Sequence, residues 1–234
     1  ILTGYTPGVL QRTVAELTVA LLLATTRRLS PAIDSVRNNG WGTWEPLGYC
    51  GTDIWGKTLG ICGMGEIGLE VVKRMRGFGC HIIYSDIRRK PDWENEYQIE
   101  YVSMDDLLKR SDFISIHTTL NQHTRKMFNM EKFKMMKKDA IIVNTSRGPV
   151  IDQEDLIKAL QQGIIGGAGL DVADPEPVKA DNPLLKMPNV VVLPHIASAS
   201  IATRTRMGEI AAEFALKGML GGDLNPKWIV PGTQ

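Results

Sequence analysis

Arg147, Glu176 and His195 are the residues of this chain whose types and placement could do chemistry together. Each lies just past a run that reads as a buried strand. Asn144–Gly148 follows Ile141–Val143, Asp171–Pro177 follows a strand ending at Leu170, and Pro194–Ser198 follows Val192-Leu193. In an open parallel sheet, ligands sit beyond the carboxyl ends of the strands, so reacting groups belong in such loops. A guanidinium at position 147 can hold a carboxylate through two parallel N–H bonds, which an ammonium cannot do. An imidazole at 195 can exchange a proton near neutral pH, and a carboxylate at 176 can orient it and favour its charged form. Singly, the plainer readings are a surface ion-pair residue, a solvated loop acid and a helix-capping group. Together the three form a complete set for reducing a 2-oxo acid with a nicotinamide cofactor. His117, at another strand end, is a rival imidazole with no acid or arginine beside it. His81 and His123 read as surface positions. No Cys/His spacing fits a metal site, and neither a GxSxG nor a Walker pattern occurs.

The element that must position a cofactor against these loops is Lys57–Asp86. Thr58–Cys62 is a short apolar run. Ile67, Val71, Val72 and Met75 then repeat at helical spacing, so strand precedes helix. Between them lies Gly63-Met64-Gly65-Glu66-Ile67-Gly68. The first glycine suits a tight turn, the second admits a pyrophosphate close to the backbone, and the third lets helix pack on strand. Amides at the helix start can hold phosphate oxygens. The next strand, Cys80–Ser85, ends in Asp86, eighteen residues beyond Gly68, where a carboxylate can bond an adenosine ribose. Asp86 would face a 2′-phosphate with like charge, which favours NAD over NADP, although Arg88-Arg89-Lys90 could wrap a phosphate. Thr118, next after the Asp112–His117 strand, joins the cofactor-binding candidates.

Strand and helix alternate through the rest. Gln98–Val102, Asp112–His117, Ala140–Asn144, Ile164–Leu170 and Val190–Leu193 read as strands, and Met104–Lys109, Gln153–Gln161 and Ile201–Leu220 as helices. That rhythm predicts an α/β, doubly wound, mainly parallel sheet with helices on both faces. Lys132–Lys138 and Arg88–Lys90 read as solvated charge runs. Upstream, Thr13–Arg28 reads as a helix that is apolar on most faces and therefore buried. Ser30-Pro31 reads as the N-cap and first position of another helix, which Gly40 closes. The loop from Gly40 to Gly56 holds Trp41, Trp44, Trp55 and Tyr49, too many rings to leave in water. It either covers its own domain or enters a partner subunit, and a homodimer is the expected assembly.

Lys plus Arg at 27 against Asp plus Glu at 26 leaves no field that implies nucleic acid or a membrane surface as partner. The most apolar stretch, Leu17–Ala24, is too short to span a bilayer. Three cysteines, two of them in predicted core strands, suit a reducing compartment, and the expected location is cytoplasmic.

TPGVLQRTVAELTVALLLATTRR, GMGEIG, VNTSRGPVID, GLDVADPEP and LPHIAS, in that order, resemble the D-2-hydroxyacid dehydrogenase family over nearly the whole chain. The loop NNGWGTWEPLGYCG, with GYTP before it, is similar to the glyoxylate/hydroxypyruvate reductase branch. The resemblance implies a Rossmann-type dinucleotide-binding domain with remnants of a second, substrate domain. It implies hydride transfer between NAD or NADP and a small 2-oxo or 2-hydroxy acid, with His195 as acid/base, Glu176 its partner and Arg147 on the carboxylate. Thr145 and Asp171 are implied near the nicotinamide end. Expected boundaries are an interdomain linker at 1–8, a dinucleotide-binding domain at 9–198 whose first part (9–56) carries dimerisation helices and loop, and a C-terminal helix and tail at 199–234 returning toward the substrate domain. The family usually carries a further βα segment before the position of Ile1, so the chain reads as a fragment that binds dinucleotide but turns over poorly. Glu66, Thr119 and Ala197 depart from the family pattern of Arg or a neutral residue, Pro and Gly. A rival reading is a dinucleotide-sensing interaction protein resembling the family's corepressors. Formate oxidation is a third, disfavoured because that branch has an amide where Glu176 stands.

Overall fold

The computed structural model describes residues 3–230. Its centre is a seven-stranded sheet, parallel throughout: β1 (Thr58–Cys62), β2 (His81–Ser85), β3 (Glu100–Tyr101), β4 (Phe113–Ile116), β5 (Ile141–Asn144), β6 (Gly167–Leu170) and β7 (Val190–Val192), in the order β3-β2-β1-β4-β5-β6-β7. The order reverses between β1 and β4, which opens a crevice beyond their carboxyl ends. The helices are α1 (Gln11–Thr26), α2 (Leu29–Arg37), α3 (Glu66–Met75), α4 (Pro91–Tyr97), α5 (Met104–Arg110), α6 (Met130–Met135), α7 (Gln153–Gln161) and α8 (Ile201–Leu220).

Two apolar layers hold the sheet, as right-handed crossovers onto both faces require. One joins Leu107, Leu108, Phe128, Phe133 and Leu156 to Ile114, Ile116 and Ile142. The other joins Leu21 and Leu22 of α1 and Val71, Val72 and Met75 of α3 to Leu59, Ile61, Tyr84 and Val143. Gly169 lets α1 lie directly on β6, since a Cβ there would stand 2.7 Å from Thr25 Oγ1 and 2.9 Å from Leu21 Cγ.

Sequence and structure part in several places. β3 is two residues long because Gln98, at φ 54°, ends α4 in the left-handed conformation. The Lys132–Lys138 charge run begins inside α6, whose Phe133 is fully buried while the lysines face out. Ser30 is not an N-cap. Arg28, at φ 52°, turns the chain off α1 and α2 starts at Leu29, so Pro31 falls within the first turn, where its missing N–H has no intrahelical partner to lose. Asn39, at φ 55°, takes the left-handed position after α2, and the Gly40 amide then donates to Ser35 O at 2.7 Å. α1 buries one face only, with Arg12, Glu16 and Ala20 exposed.

In the Gly40–Gly56 loop Ile54 joins the core of its own domain and the Thr52 amide donates to Thr26 O, but the large rings stay in water. Trp41, Trp44 and Trp55 are 74%, 81% and 79% exposed. The two terminal segments pair: Gly4 bridges Ile229 antiparallel, and the Val230 amide donates to Thr3 O at 2.9 Å. Of the expected linker at 1–8 and C-terminal stretch at 199–234, residues 1–2 and 231–234 lie outside the described residues. Among the described residues no helix is long and apolar enough to cross a membrane, and no cluster of His, Cys, Asp and Glu could hold a metal ion.

Candidate active site

The crevice at the switch point is a cleft of about 720 Å³. The loops after β4, β5 and β7 bring His117, Thr118, Thr145, Arg147 and His195 into its lining, joined by Leu10 at the N-cap of α1, Val14 of α1 and Ile67 of α3. Two of the three expected reacting residues, Arg147 and His195, thus share a cavity with the expected cofactor threonines Thr118 and Thr145, whereas Glu176 lines a neighbouring cavity behind His195.

His195 is held from three sides. Its Nδ1 lies 3.0 Å from Glu176 Oε2, and Glu176 Oε1 accepts the Ala173 amide at 2.9 Å, so the acid is itself anchored. The His195 amide donates to Asp171 O at 2.9 Å, while the Ile196 and Ala197 amides donate to Asp171 Oδ1 and Oδ2, both at 2.8 Å. Asp171 is fully buried, and burial raises its carboxyl pKa above the ordinary value against the pull of those two amides. Three consecutive amides held by one residue keep His195 at φ 55°, an unusual conformation for a residue with a side chain. With Nδ1 engaged, Nε2 is the ring nitrogen left for a substrate. Asp171 lies beneath this loop and is not among the residues lining the cleft.

The Arg147 loop is fixed by Asn144, also fully buried. Its Nδ2 donates to Arg147 O at 2.9 Å, and its Oδ1 accepts the Ser146 amide and hydroxyl at 2.9 and 2.8 Å. Gly148 then meets the β6 loop, where a Cβ would stand 1.8 Å from Ala173 O. No larger residue lets the Arg147 and Glu176 loops approach so closely. Arg147 is exposed to the cleft and donates from Nη1 to Ser146 O at 2.6 Å. The Thr18 hydroxyl gives its one hydrogen to Val14 O, so its 2.8 Å contact with Thr145 Oγ1 has Thr145 as donor and leaves that oxygen's lone pairs toward the cleft.

The glycine turn divides its tasks among three positions. Gly63 has φ 94° and sits against the His117–Thr118 backbone, which a Cβ would approach to 2.9 Å. Gly65 has nothing within 4 Å of where its Cβ would be, and Gly68 packs on Gly63 O, 2.6 Å from an added Cβ. Gly65 caps α3 without a side-chain hydrogen bond, so the first-turn amides of Glu66, Ile67 and Gly68 have no side-chain partner there. Thr118 Oγ1 is buried without a hydrogen-bond partner among the described residues. An uncapped helix start, an open glycine and an orphaned hydroxyl around one cleft fit a phosphate-bearing dinucleotide. Glu66, whose charge would oppose a pyrophosphate, is turned toward Gln11 of α1 and accepts its amide hydrogen. Asp86 accepts the Met64 amide at 2.6 Å and the Arg88 amide at 2.9 Å, which ties the end of β2 to the turn.

His117 contrasts with His195. Its Nε2 contacts Ser115 Oγ at 2.8 Å, and burial pushes its pKa down from 6.5 to about 4, so it is not a cation at neutral pH. The unfolded chain takes up this proton below about 6.5, while the folded chain takes it up only near 4. Folding stability therefore falls as pH drops through that window. Urea unfolding near neutrality and at about pH 5 checks this: the native protein loses more of its midpoint on acidification than His117→Asn does.

Cleft residues carried by helices escaped the strand-end search. Arg204 and Met207 come from α8, which the Thr203–Thr13 hydroxyl contact (2.6 Å) ties to α1. Their signal was the 204–207 spacing on a helix face beside the His195 loop.

Residues 19–197 match the family described as D-isomer specific 2-hydroxyacid dehydrogenase, NAD binding domain. The chain is 50% identical over 209 residues to a glyoxylate reductase of Korarchaeum cryptofilum, covering 89% of this chain and 63% of that protein. It is 44% identical over 219 residues to human glyoxylate reductase/hydroxypyruvate reductase, covering 93% and 67%. Among solved structures, an NADPH-dependent glyoxylate/hydroxypyruvate reductase from Sinorhizobium meliloti, in complex with NADP and malonate, superposes with a TM-score of 0.86 at 30% identity over 99% of this chain and 70% of that one. The chain belongs to the D-2-hydroxyacid dehydrogenase family, with the family's dinucleotide-binding fold. It spans about two thirds of the length of these relatives. The relatives carry enzyme names, so the dinucleotide-sensing reading finds no support among them.

Proposed function

We propose that the protein reduces a short 2-oxo acid of the glyoxylate and hydroxypyruvate class to its 2-hydroxy acid. The observation that carries this reading is His195, anchored to Glu176 at 3.0 Å and opening on the same cleft as Arg147, beside an uncapped glycine turn. The glycine turn 63–68, Asp86, Thr118 and Thr145 would hold a nicotinamide dinucleotide, which supplies the hydride. Asp171, which the resemblance places near the nicotinamide end, serves that end through the His195 loop it holds. Arg147 binds the substrate carboxylate by its planar fork and so fixes the carbonyl carbon's position. His195, oriented through Nδ1, gives a proton from Nε2 to the carbonyl oxygen, and Glu176 offsets the imidazolium charge that precedes the transfer. The test is oxidation of NADH and NADPH with a panel of 2-oxo acids: saturable turnover of glyoxylate or hydroxypyruvate supports the reading, and binding without turnover of any of them rejects it.

NADH is the favoured cofactor on the strength of Asp86, although one similar structure is an NAD complex and another is of an NADPH-dependent enzyme. We place the protein in the cytoplasm, where its three free cysteines suit a reducing milieu. Residues 1–8 and 199–234, which meet at Gly4 and Ile229, are proposed as the linker and return to a substrate domain, with 9–198 as the dinucleotide-binding domain. The exposed rings of Trp41, Trp44 and Tyr49 support dimerisation through the 9–56 region. Sedimentation is expected to give a homodimer, and Trp41→Ser with Trp44→Ser to shift it toward monomer. A native protein that stays monomeric at high concentration, with its tryptophans open to quencher, would reject this assembly.

A further inference from the structure

The 2′-phosphate that separates NADPH from NADH carries up to two negative charges, so selection turns on which cations near Asp86 are free to meet it. Arg88, Arg89 and Lys90 look equivalent in the sequence, and the structure makes them unequal. Arg89 donates from Nε and Nη2 to Glu94 at 2.7–3.1 Å, a bidentate fork. Its guanidinium also lies 5.8 Å from the centroid of the Tyr101 ring, and the Tyr101 hydroxyl donates to Asp86 O at 3.3 Å. The fork is therefore turned to an acid of α4, on the segment that leads away from Asp86.

Glu94 is itself well fixed. Its side chain is only 13% exposed, and its Oε1 accepts the hydroxyl of Tyr84 at 2.8 Å. That hydroxyl in turn accepts the Lys90 amide at 2.7 Å, and the Tyr84 ring is fully buried in β2, edge-on to Tyr101 at 5.3 Å. The Arg89 fork, followed by the Tyr84 hydroxyl, holds the Glu94 carboxyl below its ordinary pKa, so it stays ionised at neutral pH. The Lys90 ammonium lies 5.3 Å from the centroid of the Trp93 ring. Only Arg88 of the three makes no ion pair or ring contact among the described residues.

We propose that Glu94 is a specificity-determining residue: by committing the Arg89 guanidinium to itself, it leaves Arg88 alone of the three to meet a 2′-phosphate and, together with the like charge of Asp86, tips the site toward NADH over NADPH. The proposal rests on the reading of the cleft as a dinucleotide site. Arg89 is 62% exposed, so the pair is one that a competing phosphate could break only at the cost of leaving Glu94 without its partner. Removing the Glu94 charge releases the fork and deletes a like charge at the same time.

Fluorescence titration with NADH and NADPH on the native protein, Glu94→Gln and the double variant Glu94→Gln/Arg89→Ala separates these effects. Glutamine keeps an acceptor for the Tyr84 hydroxyl, and an unchanged NADH Kd reports an intact site. Expected are a native preference for NADH, an NADPH Kd about tenfold tighter in Glu94→Gln with NADH unaffected, and loss of most of that gain in the double variant. Asp86→Ser, the comparator, shifts preference in the same direction without Arg89. A native preference for NADPH, an NADPH Kd unmoved in Glu94→Gln, or a gain that survives loss of Arg89 would overturn the proposal while NADH binding still stands. Failure of the native protein to bind either cofactor would overturn the dinucleotide reading itself, and this proposal with it.

Discussion

His195→Asn and His195→Gln abolish reduction of 2-oxo acids while NADH binds as it does to the native protein. The side chain is 50% exposed and packs in no core layer, so its loss costs the fold little. Asparagine also accepts the left-handed backbone that position 195 adopts, which guards against a merely conformational effect. Neither amide can give up a proton to a carbonyl oxygen, and general acid catalysis is commonly worth about 10²–10⁴-fold. The glycine turn and Asp86 lie on other loops, and their contacts do not pass through His195. The loss is therefore expected in kcat, with the NADH dissociation constant unchanged. Retained native turnover in both variants would remove His195 from the role of acid.

Arg147→Lys is expected to be nearly as damaging as Arg147→Ala. An ammonium preserves charge but not the two parallel N–H bonds that fix a carboxylate in one plane, and misplacement by about 1 Å can cost 10²-fold in rate. The backbone around it is set by Asn144 and by the approach of Gly148 to Ala173, so the lysine would leave the same Cα with the wrong head group. The defect should appear with every 2-oxo acid, because the carboxylate is common to all of them. Steady-state kinetics over such a panel checks this, and a lysine variant with native kcat/KM would end the carboxylate-clamp assignment.

The parts of the site that were legible in the sequence are those built from one local segment. The strand, turn and helix from Thr58 to Met75 declare themselves by three glycines and helical spacing, and β1 ends where the apolar run ends. Arg147 and His195 were legible because a buried strand points its carboxyl end at the ligand side. What the sequence concealed are pairings between distant loops. Asp171 reads as a cofactor neighbour, yet its carboxylate is spent on the amides of Ile196 and Ala197. The need for glycine at 148 comes from Ala173, twenty-five residues on, and appears only when the β5 and β6 loops are laid side by side. Arg89 counts as a free cation until the turn into α4 brings Glu94 against it. The misplaced start of α2 has a similar cause, since Ser30-Pro31 carries a start signal but Arg28 had already turned the chain.

Rapid mixing of the NADH-loaded protein with glyoxylate tests the central claim most directly, with loss of the reduced-nicotinamide signal followed in the native protein and in His195→Gln. The account predicts a glyoxylate-dependent, saturable loss in the native protein and none in the variant at equal NADH occupancy. Equal rates in the two proteins, or bound NADH that no 2-oxo acid oxidises, would contradict it.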